Sequence, residues 1–383
     1  MPLQSKFPDL GLTIFSRMSA LAAETGAINL SQGFPDFAVD AGLIDGVHAA
    51  MQAGHNQYAP MPGLPALRQA IAAKLQASQG VDVDAEREIT ITAGATQALY
   101  TAIAAVLRSD DEAIIIEPAY DSYAPAIIAQ GALPVRISLS APDFTVDWAQ
   151  VEAAVTPRTR LIIVNNPNNP ATSLFAQTDL DALAALAQRH DLLVLSDEVY
   201  EHLVFDGQRH LSVLSHPELR QRSFAIYSFG KTFHATGWKI GYCVAPPTLS
   251  SEFRKLHQYL VFSVSTPMQV ALAGHLQIAG RWQGLAAFYQ AKRDYLITGL
   301  LAAGFTLRPS TSTYFQLADY SAIRPDLDEL AFAEWLTREV GVASIPVSAF
   351  YADGRSQHLV RFCFAKREAT LDAAMARLAK LKA

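Results

Sequence analysis

The sequence predicts an α/β fold: a mostly parallel sheet flanked by helices, joined to a smaller α+β unit. Two observations carry that prediction. From about residue 64 to about residue 245, short apolar runs alternate with amphipathic stretches. This is the pattern of βαβ units whose strands are covered on both faces. Beyond about residue 275 the alternation stops, and a long helical stretch is followed by strands and helices mixed together.

Taken in order, the first 40 or so residues read as arm and loop, with a short apolar run from Ala27 to Leu30 and an irregular aromatic turn at Phe34, Pro35, Asp36 and Phe37. Leu64 to Ala77 has the spacing of an amphipathic helix. A strand is expected over Glu88 to Thr92, then Gly94, then a helix from Thr96 to Leu107. Ala113 to Ile116 is wholly apolar and ends at Glu117 and Pro118. Leu133 to Ile137, Arg160 to Asn165, Leu192 to Ser196 and Phe224 to Ser228 repeat that type, with a helix expected over Leu180 to His190. The second unit starts with a helix over Gln283 to Ala303. Strands follow at Phe305 to Leu307, Tyr314 to Ala318, Val342 to Ile345 and Leu359 to Phe364, and a closing helix runs from Lys366 to Leu381. The expected division is a large unit over residues 41–275 and a small one formed by residues 1–40 with 276–383.

Composition excludes several classes. Of 383 residues, 50% are apolar and 17% charged, which gives enough apolar area to outweigh chain entropy and excludes a disordered chain. The formal net charge of −6 offers no basic surplus to displace counterions from nucleic acid. Two cysteines, Cys243 and Cys363, form neither a disulfide framework nor a zinc site by themselves. No signal-like N-terminal stretch is visible, and no apolar run reaches the ~18–20 residues of a membrane span, so a cytoplasmic location is expected.

Parallel sheets bind ligands at the carboxyl ends of their strands. Three such ends carry chemistry: Asn165-Asn166-Pro167-Asn168-Asn169-Pro170, Ser196-Asp197-Glu198-Val199-Tyr200 and Ser228-Phe229-Gly230-Lys231-Thr232. An amine, a carboxylate and an amide-rich turn would converge there. A lysine amine forms a Schiff base with an aldehyde. Pyridoxal phosphate is the aldehyde cofactor that also needs a carboxylate, to keep its ring nitrogen protonated. A phenol such as Tyr200 would tune that chemistry. Gly94-Ala95-Thr96 before a helix supplies the amides a phosphate needs. The competing readings are weaker. Gly230-Lys231-Thr232 lacks the glycine five residues earlier that a nucleotide P-loop requires, since Ala225 stands there. An aspartate at a strand end is often only a helix cap, and single tyrosines are usually packing residues. His202, His234 and His257 have no ligand spacing, and each is expected to be satisfied or exposed.

With these strings in place, the chain resembles the class I, fold-type I pyridoxal-phosphate aminotransferases. The likeness runs from Asn29-Leu30-Ser31-Gln32-Gly33-Phe34-Pro35-Asp36 to Arg361-Phe362-Cys363-Phe364. The subgroup it is most similar to contains methionine and kynurenine/glutamine aminotransferases. The resemblance implies that Lys231 is the Schiff-base lysine and proton shuttle, that Asp197 pairs with the pyridine nitrogen, and that Tyr200 and Asn169 bond the ring hydroxyl oxygen. It implies that Tyr120 stacks on the ring and that Ala95, Thr96, Ser228 and Lys239 hold the phosphate. Tyr58 would reach the phosphate of the other subunit, making the protein a homodimer with shared active sites. Arg361 would clamp the substrate α-carboxylate beside Asn169, with Gly33 and Phe15 lining that side. Two departures stand out. Lys239 replaces an arginine found in many relatives, and the turn Asn169-Pro170-Ala171-Thr172 has threonine where the family pattern has glycine.

The implied reaction moves the amino group of a large neutral amino acid (methionine, glutamine or an aromatic one) to a 2-oxo acid. Phe15 and Tyr259-Leu260-Val261-Phe262 are the apolar candidates for the side-chain pocket. The alternative is a β-elimination lyase on cysteine conjugates that uses the same cofactor. A transcription regulator on this fold is not expected, because the resemblance begins near Met1 and leaves no room for a DNA-binding domain in front.

Overall fold

A computed structural model describes residues 4–8 and 11–382. Its strands are β1 (Ile28–Asn29), β2 (Ile89–Thr92), β3 (Glu112–Glu117), β4 (Leu133–Ser138), β5 (Thr159–Asn165), β6 (Leu193–Asp197), β7 (Ser223–Ser228), β8 (Gly241–Val244), β9 (Phe315–Asp319), β10 (Val342–Ala343), β11 (Ile345–Pro346) and β12 (Leu359–Cys363). Seven of them form the main sheet in the order β2-β8-β7-β6-β5-β3-β4. The β4-β3-β5-β6-β7 run is parallel throughout, and β8 lies antiparallel to both β7 and β2.

Alternation along the central strands sorts their side chains into two cores. Ile114, Ile116, Ile162, Val164 and Val194 face the helices Pro65–Gln79 and Gln177–Arg189. Ala113, Ile115, Leu161, Ile163 and Leu195 face Ala95–Val106, Tyr123–Ala129 and Pro247–Leu260. Each fully buried Ile or Leu contributes roughly 1.5–3 kcal/mol, so the sheet is a stiff platform for the residues at its edge. A third core gathers Met18, Leu21 and Leu30 with Tyr200, Leu203 and Phe205 and with residues from 285 onward, around the antiparallel sheet β11-β12-β9.

Several elements differ from expectation. The helix Ile14–Thr25 occupies ground read as arm. Thr13 caps it by accepting from the Ser16 amide, and Gly26 ends it at φ 64°, both ordinary helix signals. The single strand expected over Val342 to Ile345 is two strands in two sheets: β10 pairs with β1 in parallel, and β11 pairs with β12. Phe305 to Leu307 makes only an isolated bridge, Thr306 to Asp319. The short β8, which starts at a glycine, carries too little pattern to be seen in sequence. The β1–β10 pairing, with Cys363 N–H donating to the Leu30 carbonyl at 2.8 Å, stitches residues 28–30 to the small sheet. Among the described residues, no helix is long and apolar enough to cross a membrane.

Candidate active site

The carboxyl ends of β5, β6 and β7 open onto one cavity of about 140 Å³. Asn165, Asn169, Asp197, Tyr200, Ser228 and Lys231 line it from those ends, Ala95 and Thr96 from the start of the helix Ala95–Val106, and Tyr120 and Lys239 from neighbouring loops. Nine of the thirteen residues singled out in the sequence fall on its walls, all but Tyr58, Arg361, Gly33 and Phe15; Asn165 is an addition.

Lys231 lies in the short helix Phe229–Thr232, directly after β7. Its Nζ donates to the Tyr314 hydroxyl at 2.6 Å and to the Gly33 carbonyl at 3.3 Å. The Tyr314 hydroxyl itself donates to the Gly33 carbonyl. Burial pulls the Lys231 pKa down to about 8, so a useful share of the amine is unprotonated near neutrality. Asp197 ends β6 and is buried. It accepts from the Tyr123 hydroxyl at 2.7 Å and the Val199 amide at 3.3 Å. Burial raises its pKa to about 6, against the pull of those two donors. The Tyr200 ring packs edge-on to Tyr314, centroids 5.1 Å apart, and burial raises its phenol pKa. Tyr120 lies edge-on to Tyr123 at 5.9 Å.

At the other end, the helix Ala95–Val106 starts at Gly94, φ 82°, with no side chain capping its first amides. Added to Gly94, a Cβ would sit 3.3 Å from Lys239 Cε, so the loop passes close to that amine. Lys239 itself has φ 55°. Uncapped amides, a cation and the Ser228 hydroxyl make this end suited to an anion.

Arg361, in β12, is 1% exposed. It donates to Asn169 Oδ1 at 2.5 Å and to the Ser31 carbonyl at 3.3 Å, and its Nε has no partner. Burial lowers its pKa, yet a guanidinium stays charged. Its Cζ lies 3.7 Å from the Phe315 ring centre, 5.1 Å from Phe350 and 5.6 Å from Phe15. Gly33 packs so tightly that a Cβ would fall 2.6 Å from Phe315 Cζ. Asn169 is aligned in turn: its amide donates to Asn165 Oδ1 at 2.7 Å, and Asn165 Nδ2 donates to the Asp197 carbonyl at 2.8 Å. Thr172, at the family's glycine position, adopts φ 59°, so the turn keeps the left-handed geometry without glycine.

The stretch after β6 has two faces. Asp197 and Tyr200 face the cavity. Glu198 and Glu201 enter a buried polar cluster behind it. Glu198 accepts from Tyr227 at 2.7 Å and Ser196 at 2.9 Å. Glu201 is paired with Lys74, which also donates to Tyr242 at 3.0 Å.

Some expectations are not met within one chain. Tyr58 is 80% exposed, packs edge-on to Phe262 and does not line the cavity. Tyr259, Leu260 and Phe262 are also exposed, and neither they nor Val261 line it. The histidines are neither exposed nor fully satisfied: His202, His234 and His257 each keep an unpartnered Nε2, and burial lowers all three pKa values. Tyr123 and Tyr314 were not foreseen. A buried aspartate at a strand end calls for a nearby donor, which is the only hint toward Tyr123; nothing in the sequence points to Tyr314.

The family model for aminotransferase class I and II matches residues 25–378, and the chain belongs to that family. It is an aminotransferase of fold type I, in a family that uses pyridoxal phosphate. Methionine aminotransferase of Escherichia coli is 51% identical over 379 residues, covering 99% of this chain and 98% of the relative. The solved structure of YbdL from Escherichia coli, reported with a methionine aminotransferase function, matches with a TM-score of 0.97, covering 99% of this chain and 100% of that one. Kynurenine–oxoglutarate transaminase 1 of Homo sapiens is 33% identical over 396 residues, covering 94% of each chain.

Proposed function

We propose that this aminotransferase binds pyridoxal phosphate in the cavity at the β5–β7 ends and moves the amino group of a large neutral amino acid to a 2-oxo acid. The amino donors meant are methionine, glutamine and aromatic amino acids. The observation that carries the reading is the convergence of Lys231, Asp197 and the uncapped helix at Gly94 on one cavity. These residues fit the cofactor. The helix amides with Lys239 and Ser228 suit its phosphate. A buried carboxylate whose pKa is raised to about 6 lacks a cationic partner of the kind a protonated ring nitrogen supplies. Tyr120 offers a ring face, and Tyr200 with Asn169 offers donors to the ring oxygen.

When bound, the cofactor supplies an aldehyde for amines and a ring that takes up electron density from the substrate α-carbon. The chain's own residues do the rest. Arg361 binds the substrate α-carboxylate, its planar fork held by Asn169 and the Ser31 carbonyl. Phe315, Phe350 and Phe15 exclude water around that clamp, which strengthens it. Lys231, near half-protonated at pH 8, accepts the α-proton and returns it. Asp197 stays ionised above its pKa and, aligned by Tyr123, holds a proton opposite its carboxylate.

Three aromatic rings beside Arg361 support a neutral side chain, and so does the likeness to a methionine aminotransferase. The exposed Tyr58 supports a homodimer in which that residue completes the partner's site. The third core, drawn mostly from residues 1–40 and 276–383, supports the division into residues 41–275 and residues 1–40 with 276–383, with Tyr200, Leu203 and Phe205 packing into it from the large unit. A cytoplasmic location fits the absence of a membrane-spanning helix among the described residues. The test is a panel of amino donors on purified protein, with Lys231→Ala alongside. Methionine and aromatic donors should be preferred, and the variant should hold cofactor without a covalent link and lose turnover. A wide preference for aspartate would overturn the substrate class; substantial transamination by the variant would overturn the site.

A further inference from the structure

We propose that Tyr314 is a positioning residue: with the Gly33 carbonyl, its hydroxyl forms the seat that holds the Lys231 amine whenever that amine is not covalently engaged. The proposal deepens the function proposed above and rests on it, because only a lysine that is repeatedly released needs a resting place. Two acceptors meet the amine, the Tyr314 oxygen at 2.6 Å and the Gly33 oxygen at 3.3 Å. The hydroxyl proton of Tyr314 is committed to the same Gly33 carbonyl, so toward Lys231 the phenol oxygen acts as acceptor. The ring faces add to this: Nζ lies 5.2 Å from the Tyr314 centroid and 5.5 Å from that of Tyr200. Gly33 is held in place by close packing on Phe315, where no side chain fits.

Both halves of the seat come from outside the sheet that carries the lysine. Gly33 follows the β1 segment, and Tyr314 immediately precedes β9. A released amine therefore reaches across to the small sheet and is kept within the cavity instead of swinging to solvent. Two acceptors favour the ammonium over the free base, so the seat also opposes the burial that lowers the pKa of Lys231. The other charged or titratable groups around this amine are Asp197 from β6, Arg361 and Cys363 from β12, and Lys239 before β8. Tyr200, whose hydroxyl bonds that of Tyr314, and Arg361 also face Tyr314, but replacing the neutral phenol by phenylalanine adds and removes no charge beside any of these groups.

The test is made on apoenzyme, free of cofactor. Lys231 is treated with an amine-acylating reagent across a pH series, and its modification is read by peptide mass spectrometry; Lys231→Ala locates the signal. In Tyr314→Phe the midpoint should fall by about one pH unit, since one acceptor to the charged form is gone. Should that variant fold poorly, 3-fluorotyrosine at 314 keeps shape and hydroxyl but weakens the oxygen as acceptor, and the midpoint should again fall. A midpoint unmoved in a folded variant overturns the seat. Wild-type protein that never binds pyridoxal phosphate overturns the proposed function instead, so the two failures are told apart.

Discussion

Replacing Asp197 by asparagine should stabilise the apoenzyme, and the size of the effect follows from its burial. The carboxyl titrates near 6 in the folded chain against an ordinary value of 3.8, a gap of about two units. At about 1.4 kcal/mol per unit, the ionised form costs the native apoenzyme roughly 3 kcal/mol. The sign is set by proton binding. Between about pH 4 and pH 6 the folded state holds a proton that the unfolded state has released, so stability falls as pH rises through this window. Below it both states are protonated and the cost vanishes; above it the cost is constant. An amide of the same shape carries no charge, keeps its oxygen for the Val199 amide and turns its NH2 to the Tyr123 oxygen, which then accepts. Asp197→Asn should therefore match wild type near pH 4 and exceed it by up to about 3 kcal/mol near pH 7.5. Urea unfolding of cofactor-free protein at both pH values, with the slope checked for constancy, measures this. Adding pyridoxal phosphate should reverse the order, because only the carboxylate gains a cationic partner. A variant no more stable than wild type near pH 7.5, or equally stabilised at both pH values, refutes the reasoning.

Arg361→Lys keeps the charge but loses the planar fork that Asn169 and the Ser31 carbonyl align. For a buried, hydrogen-bonded charge the expected loss is about 2–4 kcal/mol in kcat/KM for every amino donor, roughly 30- to 1,000-fold; steady-state kinetics that stay within threefold of wild type would contradict the clamp. Thr172→Gly relieves a left-handed threonine at φ 59°. The carbonyl that accepts from the Thr311 and Ser312 hydroxyls is retained. A net gain of about 0.5–1 kcal/mol by urea midpoint is expected after the entropy glycine adds to the unfolded chain, with turnover unchanged.

The parallel core and its strand ends were legible because each strand and the chemistry after it are contiguous in sequence. Asn169, Asp197 and Lys231 all follow apolar runs, and a parallel sheet necessarily brings such ends together. What escaped was set by distance along the chain. Tyr123 meets Asp197 from 74 residues away, and Gly33 meets Lys231 from 198 residues away. A lone tyrosine or glycine carries no periodicity to announce such a meeting. The helix Ile14–Thr25 is a different kind of miss. Its cap residues and the buried Met18, Leu21 and Ala22 follow ordinary helix grammar, so this element is specified locally. The split of Val342 to Ile345 between two sheets depends on the partners β1 and β12, which no local pattern specifies.

The two-faced stretch after β6 limits where this enzyme can be re-engineered. A one-residue insertion there would turn Glu198 toward the cofactor cavity and drive Asp197 toward Lys74, spoiling catalysis and folding in one event. Libraries aimed at new amino donors should leave Asp197 to Glu201 untouched and vary the irregular segment that contributes Phe350 to the surroundings of Arg361. There a change of side chain alters the shape offered to the donor without disturbing the ions packed behind the sheet.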